Sequence, residues 1–323
     1  MRQITIAAND SGQRLDKFLT KRFKDMPKAL MYKYIRTKYI KLNGKRCDIA
    51  DRLCEGDVLT LYIKDEFFES KPDDYDFLKA PVRLDIIYED NNIMLLNKKP
   101  GLLVHPDENY HFDSLIARVQ HYLYDKGEYD PKDENSFAPA LVNRIDRNTG
   151  GIVIAAKNAE SLRILNQKVK DREIDKFYLC IAVGTLKNKA GLLTGFLGKN
   201  ENKNKVFISD KPAEGLKSIK TKYRVLAEKN GLSLCEVELL TGRTHQIRAH
   251  FAHIGRPLLG DGKYGKNEIN RKYGFKYQAL YSYRLVFSFK TDGGILSYLN
   301  GRSFTAPDVW FTEMFGNFHI SDI

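Results

Sequence analysis

The pattern of apolar positions predicts a small unit at the start of the chain. Residues 14–25 carry apolar side chains at every third or fourth position after Ser11-Gly12, which predicts a helix. A second helix is expected from Pro27 onward, because proline suits the first helical turn. A strand over residues 39–42 runs into Asn43-Gly44, a strong hairpin-turn signal, and residues 57–63 form another predicted strand.

The rest of the chain mixes strands with fewer helices. Helices are expected over residues 113–124, with Asp113 near the N-cap, and over residues 158–170, which open on Asn158. Strands are expected over residues 86–88, 93–96, 151–156, 176–183, 219–228, 232–240 and 278–289. Long strands with few helices between them favour an antiparallel or mixed sheet, so the pattern predicts an α+β fold.

Composition excludes several classes of protein. The chain has 323 residues, 42% hydrophobic and 29% charged, which fits about two globular domains and excludes disordered and low-complexity classes. No apolar run approaches the ~20 residues that span a bilayer. The first residues lack the apolar segment of a secretory signal, and the four cysteines form no C-x-x-C pair. We therefore expect reduced thiols and a cytoplasmic location.

Charge divides the chain into three segments. The formal net charge is +12, with +8 in residues 1–64, −4 in residues 65–82 and +8 in the remainder. We interpret these segments as a small basic domain over residues 1–64, an acidic linker over residues 65–82 and a large domain over residues 83–323. The basic surplus favours a polyanionic partner, with nucleic acid the first candidate and an anionic membrane surface the second.

A cluster of basic residues surrounds the second helix and the hairpin of the small domain. Scattered lysines most often form a solvated face, but these residues fall on two adjoining elements of a short domain. We therefore favour a surface that follows RNA or DNA phosphates. The cluster comprises Lys28, Lys33, Arg36, Lys38, Lys41, Lys45 and Arg46.

One carboxylate in the large domain lies between two arginines. Asp146, flanked by Arg144 and Arg147, precedes the buried strand predicted over residues 151–156. Guanidinium groups favour the ionised form, so Asp146 is a candidate nucleophile or base. The alternative, equally consistent with the spacing, is a structural carboxylate that accepts hydrogen bonds from loop N–H groups.

A second segment concentrates planar hydrogen-bond donors at a predicted helix start. Arg243, His245, Gln246, Arg248 and His250 fall within eight positions, which suits contacts with phosphate or carboxylate groups. A solvated helix is the alternative. The three histidines of this helix, the third being His253, suggest zinc, but the segment has no H-E-x-x-H motif and no Cys or carboxylate ligand, so we expect no metal site.

The longer motifs resemble those of one known family. Residues 143–151 resemble H-R-L-D-x-x-T-S-G, residues 174–184 resemble K-x-Y-x-A-x-V-x-G, and residues 242–265 resemble G-R-T-H-Q-I-R-x-H followed by G-x-P-x-x-G-D-x-x-Y-G. The opening of the large domain, from Tyr88 to His105, is similar to that family too. The chain thus resembles an RluA-family pseudouridine synthase with an N-terminal S4-type RNA-binding domain.

The resemblance implies an activity and a set of roles. It implies that uridines in RNA are isomerised to pseudouridine without a cofactor or metal, most simply in large-subunit ribosomal RNA. A tRNA substrate and a non-catalytic RNA-binding or ribosome-assembly factor are the alternatives. The implied roles are the catalytic aspartate for Asp146, its basic partner for Arg248, stacking and acid–base chemistry for Tyr178, replacement of the flipped base for Arg144, and substrate contacts for Ile247, Leu239, Arg243 and His245.

Three positions depart from the first motif of that family. Asn143 replaces His, Ile145 replaces Leu and Gly150 replaces Ser. The exchange at Ile145 is mild. The other two touch the turn but not the carboxylate, so we expect them to affect substrate preference and not activity.

Overall fold

The N-terminal part of the chain forms a separate small sheet with two helices. The computed structural model describes residues 1–68, 75–107, 112–200, 205–316, 318 and 320. The small sheet has the antiparallel order β1-β4-β2-β3. Its elements are β1 (Arg2–Thr5), α1 (Leu15–Arg22), α2 (Lys28–Arg36), β2 (Ile40–Leu42), β3 (Lys45–Arg46) and β4 (Val58–Leu61).

These elements enclose a core of their own. Both helices predicted from the sequence are present, and the Asn43-Gly44 turn joins β2 to β3 with both residues in the left-handed region. Strand β1, which the sequence analysis did not predict, pairs with β4. Phe67 and Phe68, at the start of the expected acidic linker, pack against this core. Residues 69–74 of that linker lie outside the described residues.

The large domain is built on one extended sheet. Its order is β11-β10-β12-β13-β9-β14-β8-β6-β5, with β7 paired to β8 and β15 paired to β14. Strands β8 and β14 run parallel, and the other neighbouring pairs of described strands are antiparallel, as the predicted mixed α+β fold requires. The strands are β5 (Ile86–Glu89), β6 (Ile93–Lys98), β7 (Ala140–Leu141), β8 (Gly150–Ala156), β9 (Ile174–Val183), β10 (Ala190–Asn200), β11 (Lys205–Ser209), β12 (Lys217–Lys229), β13 (Leu232–Leu239), β14 (Leu280–Phe287) and β15 (Ser303–Thr305).

Helices cover both faces of this sheet. They are α3 (Leu115–Asp125), α4 (Ala159–Lys170), α5 (Gln246–His253) and α6 (Asn267–Lys272). Neighbouring residues of β9 point to opposite faces: Tyr178 and Cys180 join the core under α3 and α5, whereas Leu179 and Ile181 join the core under α4. The catalytic candidates lie on the α3–α5 face.

The structure refines the expected start of α3 and contains elements that the sequence analysis did not predict, among them β7, β15 and α6. The N-cap of α3 is Ser114, whose hydroxyl accepts from the N–H of Ala117, so Asp113 lies directly before the N-cap. The two carboxylate oxygens of Asp113 each accept a hydrogen bond from the Arg118 guanidinium. The two side chains therefore form a bidentate ion pair. Strands β10 and β11 were not predicted. Their solvent-facing positions and the glycines of β10 weaken the two-residue alternation.

The small domain docks on the large one through polar contacts. Asp10 is fully buried and accepts hydrogen bonds from Ser136 Oγ at 2.5 Å and Asn135 Nδ2 at 2.8 Å. Arg163 of α4 donates to the Ser11 carbonyl, also at 2.5 Å. These bonds join segments more than 120 residues apart in sequence. None of the helices in the described ranges combines the length and apolar character needed to cross a membrane.

Candidate active site

The turn that carries Asp146 is held by buried hydrogen bonds. Asn143 accepts from the Ile154 N–H at 2.8 Å and donates to the Ile152 carbonyl at 3.3 Å, both on β8. The Asp146 carbonyl accepts from the Thr149 N–H and closes the turn. The asparagine that departs from the family motif therefore anchors the turn to the sheet, and leaves the Asp146 carboxylate free to contact other groups.

Arg248 connects the Asp146 carboxylate to a second, buried carboxylate. Its Nη1 donates to Asp146 Oδ2 at 2.7 Å, while Nε and Nη2 donate to the two oxygens of Asp261 at 2.7 and 2.9 Å. Asp261 has no exposed surface and also accepts from the N–H groups of Lys263 and Tyr264. Asp261 thus fixes the plane of the guanidinium, and with it the position of the donor that faces Asp146.

The electrostatics of this triad favour a charged arginine. Burial alone would lower the pKa of the Arg248 guanidinium, but the hydrogen bonds and charges of Asp261 and Asp146 raise it above its usual value. Burial likewise would raise the pKa of Asp261, yet Arg248 lowers it overall. Two carboxylates thus surround one cation, Arg248. Of these two carboxylates, Asp146 lines a cavity.

His245 approaches the same carboxylate from the N-terminus of α5. It has a left-handed backbone with φ 56°, unusual for a residue other than glycine, and its Nδ1 lies 2.9 Å from the Tyr264 hydroxyl. Its Nε2 lies 3.8 Å from Asp146 Oδ2. Burial lowers the pKa of the imidazole, partly offset by the charge of Asp146. At neutral pH the ring is therefore an uncharged neighbour of Asp146.

Tyr178 presents a buried phenol on the floor of the site. It lies on β9 opposite Ser282 of β14 and is 6% exposed. Burial raises its pKa to about 12, with a further contribution from the Asp146 charge and an opposing one from Ser282. The hydroxyl consequently keeps its proton throughout the neutral range and can donate it.

A cavity of about 670 Å³ brings the candidates together. It is lined by all eight large-domain residues proposed from the sequence, namely Arg144, Asp146, Tyr178, Leu239, Arg243, His245, Ile247 and Arg248. His105, Lys176 and Leu280, to which the sequence analysis assigned no role, line it as well. Burial and the Arg144 charge lower the pKa of His105, and the Nδ1 of its ring has no hydrogen-bond partner in the described part of the chain.

Lys98 is a further residue that sequence reasoning missed. Its ammonium is buried beneath the turn and donates to the carbonyls of Lys99, Leu102 and Arg147 at 3.1, 2.8 and 2.9 Å. The three carbonyl acceptors match the three N–H groups of a charged ammonium. Burial has the opposite effect on the charge, because it lowers the pKa of Lys98 to about 7. Lys98 therefore ties segment 99–102 to the turn that follows Asp146. A lone lysine at a strand end carries no sequence pattern that would reveal this.

The basic cluster of the small domain lies on α2 and on the β2–β3 hairpin, as the sequence suggested. Six of its members are exposed, and Lys41 is half-buried with its ammonium 5.4 Å from the Tyr62 ring centroid. Within the described ranges none of the seven forms an ion pair with a carboxylate, so their charges face solvent.

The histidines of α5 serve structural roles. His250 is buried with its Nδ1 2.8 Å from the Thr221 hydroxyl, and the His253 Nε2 lies 3.0 Å from Asp210. Across the residues that the structure describes, no group of three or more His, Cys, Asp or Glu side chains has the geometry to hold a metal ion.

The arrangement supports chemistry on a ligand the size of a nucleoside. A carboxylate oriented by a cation can act as nucleophile or base, and a phenol that keeps its proton can act as acid. Aromatic and aliphatic walls from Tyr178, Ile247 and Leu239 offer a surface for a flat ring.

Known proteins similar to this chain are RNA pseudouridine synthases. The family model for RNA pseudouridylate synthase matches residues 92–253. The "Uncharacterized RNA pseudouridine synthase" of Mycoplasma capricolum is 34% identical over 97% of this chain and 100% of its own length. The "Ribosomal large subunit pseudouridine synthase C" of Vibrio vulnificus is 32% identical over 83% of this chain and 81% of its own.

A solved structure shares the fold. Human RNA Pseudouridylate Synthase Domain Containing 1 superposes with a TM-score of 0.56 over 71% of this chain and 85% of the human one, at 20% identity. The chain therefore belongs to the RNA pseudouridylate synthase family, within its RluA branch, and is an RNA pseudouridine synthase.

Proposed function

We propose that this enzyme converts specific uridines of large-subunit ribosomal RNA to pseudouridine, with Asp146 as the catalytic aspartate. The observation that carries the assignment of Asp146 is its 2.7 Å contact with Arg248 at the wall of the shared cavity. Relatives such as the Vibrio enzyme, whose name specifies the large ribosomal subunit, support the choice of RNA.

The reaction is an isomerisation of one nucleotide. Asp146 attacks C1′ or removes the C2′ proton of the ribose, and the N1–C1′ bond breaks. The freed uracil rotates and its C5 bonds to C1′. On the first route this displaces the Asp146 carboxylate and breaks its ester bond to C1′; on the second route Asp146 returns the proton to C2′. C5 then loses its proton, and N1 gains one. Substrate and product have the same composition, so the chemistry consumes no redox or group-transfer partner.

The neighbouring side chains prepare this step. Arg248 orients the Asp146 carboxylate through its hydrogen bond. Tyr178 stacks on the flipped base and acts as an acid or base in proton transfer. Arg144, exposed at the mouth of the cavity, fills the space that the flipped base leaves in the RNA. Ile247 and Leu239 contact the uracil ring, and Arg243 and His245 contact the sugar–phosphate chain at the start of α5.

The N-terminal unit, residues 1–64, acts as an S4-type RNA-binding domain, followed by the linker of residues 65–82 and the catalytic domain of residues 83–323. The seven residues of the basic cluster of this N-terminal unit form no ion pair with a carboxylate among the described residues, and six of them are exposed. Free cations of this kind bind phosphates without the cost of breaking an internal ion pair.

Pseudouridine mapping tests the proposal. Total RNA is mapped from a strain lacking the protein, from its parent, and from the deletion strain expressing wild-type enzyme or Asp146→Asn. We expect large-subunit sites that vanish on deletion, return with the wild-type enzyme and stay absent with Asp146→Asn. Sites that vanish only from tRNA would overturn the ribosomal assignment. Sites restored by Asp146→Asn would overturn the role of Asp146, and no change on deletion would favour a non-catalytic RNA-binding factor.

A further inference from the structure

A second cavity of about 770 Å³ lies beside the catalytic one. It opens between the segment before β5, the end of β6 and the N-terminus of α3, and it shares Leu103 and Arg147 with the catalytic cavity. Its volume falls in the ~300–1,000 Å³ range of ligand pockets. Since Arg147 directly follows Asp146, the two cavities are neighbours on the same surface.

The wall between the cavities is held rigid. Gly101 donates its N–H to the Arg147 carbonyl at 2.8 Å, and Arg147 Nε donates back to the Gly101 carbonyl at 3.1 Å. The Lys98 ammonium binds the Leu102 and Arg147 carbonyls from below. Gly101 has φ 94°, and a Cβ there would lie 2.9 Å from the Tyr277 hydroxyl. These hydrogen bonds hold the segment between the two cavities in place, so the second cavity is a separate compartment.

The lining of this compartment has an apolar part and a cationic part. Leu84, Leu96, Pro100, Leu102 and Leu115 form the apolar part. Two of the lining cations, Lys99 and Arg118, pair with the lining carboxylates Asp85 and Asp113, and Arg83 adds a further positive charge. The Arg83 side chain is exposed and, in the part of the chain that the structure describes, has no partner.

We propose that this cavity is a subsite for a second unstacked nucleotide of the RNA, close in sequence to the target uridine. The leucines and Pro100 contact the base, and Arg83 contacts its phosphate. The occupant is RNA because the cavity adjoins the one that must hold the target nucleotide and carries the complementary charge. The inference rests on the RNA-modifying activity but not on which RNA is modified.

Crosslinking and binding to one simple probe test the subsite. The probe is a ten-nucleotide oligouridylate carrying 4-thiouridine, which offers a target base in every register. With the full-length wild-type protein we expect crosslinks in two tryptic peptides. Residues 84–98 include lining residues of the second cavity, and residues 177–187 include Tyr178 of the catalytic cavity. Crosslinks confined to residues 177–187, or no binding of the probe, would overturn the proposal.

Two variants distinguish the subsite from general electrostatics. Leu84→Trp fills the apolar part, and it should remove the crosslinks to residues 84–98, retain those to residues 177–187, and weaken binding about 5- to 100-fold. Arg83→Glu, a surface change, should weaken binding and lower the slope of log affinity against log salt by about 0.7 or more. Lys170→Glu on α4 makes a similar charge change on the opposite face and should alter neither the crosslinks nor their distribution.

Each remaining outcome decides the question. Unchanged affinity and crosslinks in a folded Leu84→Trp variant would show that the cavity holds no nucleotide. Equal losses in Arg83→Glu and Lys170→Glu would assign the effect to overall charge and reject the subsite. Failure of the ribosomal-RNA proposal would appear in the mapping experiment alone, because the oligouridylate probe does not depend on the natural target.

Discussion

Asp261 holds Arg248 by two hydrogen bonds of 2.7 and 2.9 Å, leaving Nη1 of the guanidinium to face Asp146. The two residues lie 13 positions apart in sequence and are both buried, and a buried ion pair is sensitive to the loss of either partner. Asp261 is thus a positioning residue that acts on Asp146 through Arg248.

Asp261→Asn tests this relationship. The amide keeps the shape but loses the charge and one acceptor, so Arg248 loses its fixed orientation. We expect kcat to fall about 10²-fold with a much smaller change in KM, the loss typical of a misplaced catalytic group. Single-turnover kinetics and a pH–rate profile are the measurements. Asp171→Asn, at an exposed carboxylate after α4, is the control and should behave as wild type. A kcat within threefold of wild type would refute the positioning role.

Tyr178→Phe separates chemistry from stacking. The ring that contacts the base remains, whereas the proton donor is lost, so binding should persist and the single-turnover rate should fall about 10²–10⁴-fold. Because the pKa of Tyr178 is raised to about 12, the wild-type rate should show no loss from this group up to about pH 10. Tyr178→Leu should lose both binding and rate.

Tyr223→Phe provides the matched control for this prediction. Tyr223 is a buried strand tyrosine on β12, and its hydroxyl donates to the Asn188 carbonyl away from the catalytic cavity. Loss of the Tyr223 hydroxyl should leave the single-turnover rate unchanged. A wild-type rate in Tyr178→Phe would show that the Tyr178 hydroxyl takes no part in proton transfer and that the ring serves at most as a stacking surface.

Lys98 predicts a dependence of stability on pH. Burial lowers its pKa to about 7, whereas the unfolded lysine titrates near 10.5. Between these values the unfolded chain binds more protons, so this group makes the free energy of unfolding rise with pH, by at most about 1.4 kcal/mol per unit. Urea unfolding at pH 7, 8 and 9 should show this slope in the wild type and its loss in Lys98→Met.

Lys99→Met is the control for that experiment, since Lys99 is the exposed neighbour. It should retain the wild-type slope. Parallel stability curves for wild type and Lys98→Met would show that the Lys98 ammonium stays charged above pH 9, held by its three carbonyl acceptors.

Gly150 and Tyr281 are predicted to be coupled. A Cβ at Gly150 would lie 2.3 Å from the buried Tyr281 ring, so the serine that the family motif has here does not fit. Gly150→Ser should lower the free energy of unfolding by about 1–3 kcal/mol through overpacking. In a double-mutant cycle with Tyr281→Ala the added serine should cost much less. Gly242→Ser, at a glycine with no atoms near the added Cβ, should cost little, and additive effects at Gly150 and Tyr281 would contradict the coupling.

The basic cluster of the small domain predicts salt-dependent binding. Lys33→Ala with Arg36→Ala on α2 should weaken RNA affinity and lower the slope of log affinity against log salt by up to about 1.8, or 0.9 per phosphate contact. Lys170→Ala with Lys187→Ala, two exposed lysines of the large domain, forms the matched pair. Equal slopes in both double variants would mean that the cluster on α2 does not contact phosphate.

Local pattern was sufficient for most of the secondary structure and for the choice of candidate residues. Some features depend only on neighbours in sequence and can be predicted without the fold. They include the helical spacing in α1, the Asn43-Gly44 turn and the asparagine at the N-cap of α4. The segments around Asp146 and Arg248 stood out because unusual residue types crowd into short motifs. By contrast, β10 and β11 lack a clear alternation because much of their surface faces solvent.

Tertiary structure alone decided how these residues act together. Asp261 orients Arg248, Lys98 supports the turn after Asp146, and Asp10 docks the small domain, yet the sequence alone assigned none of the three a role. The second cavity likewise exists only where the segment before β5, the end of β6 and the start of α3 converge. Periodicity records whether a side chain is buried, but a partner distant in sequence is specified only when the chain packs, because hydrogen bonds and ion pairs depend on separations of about 3 Å in space.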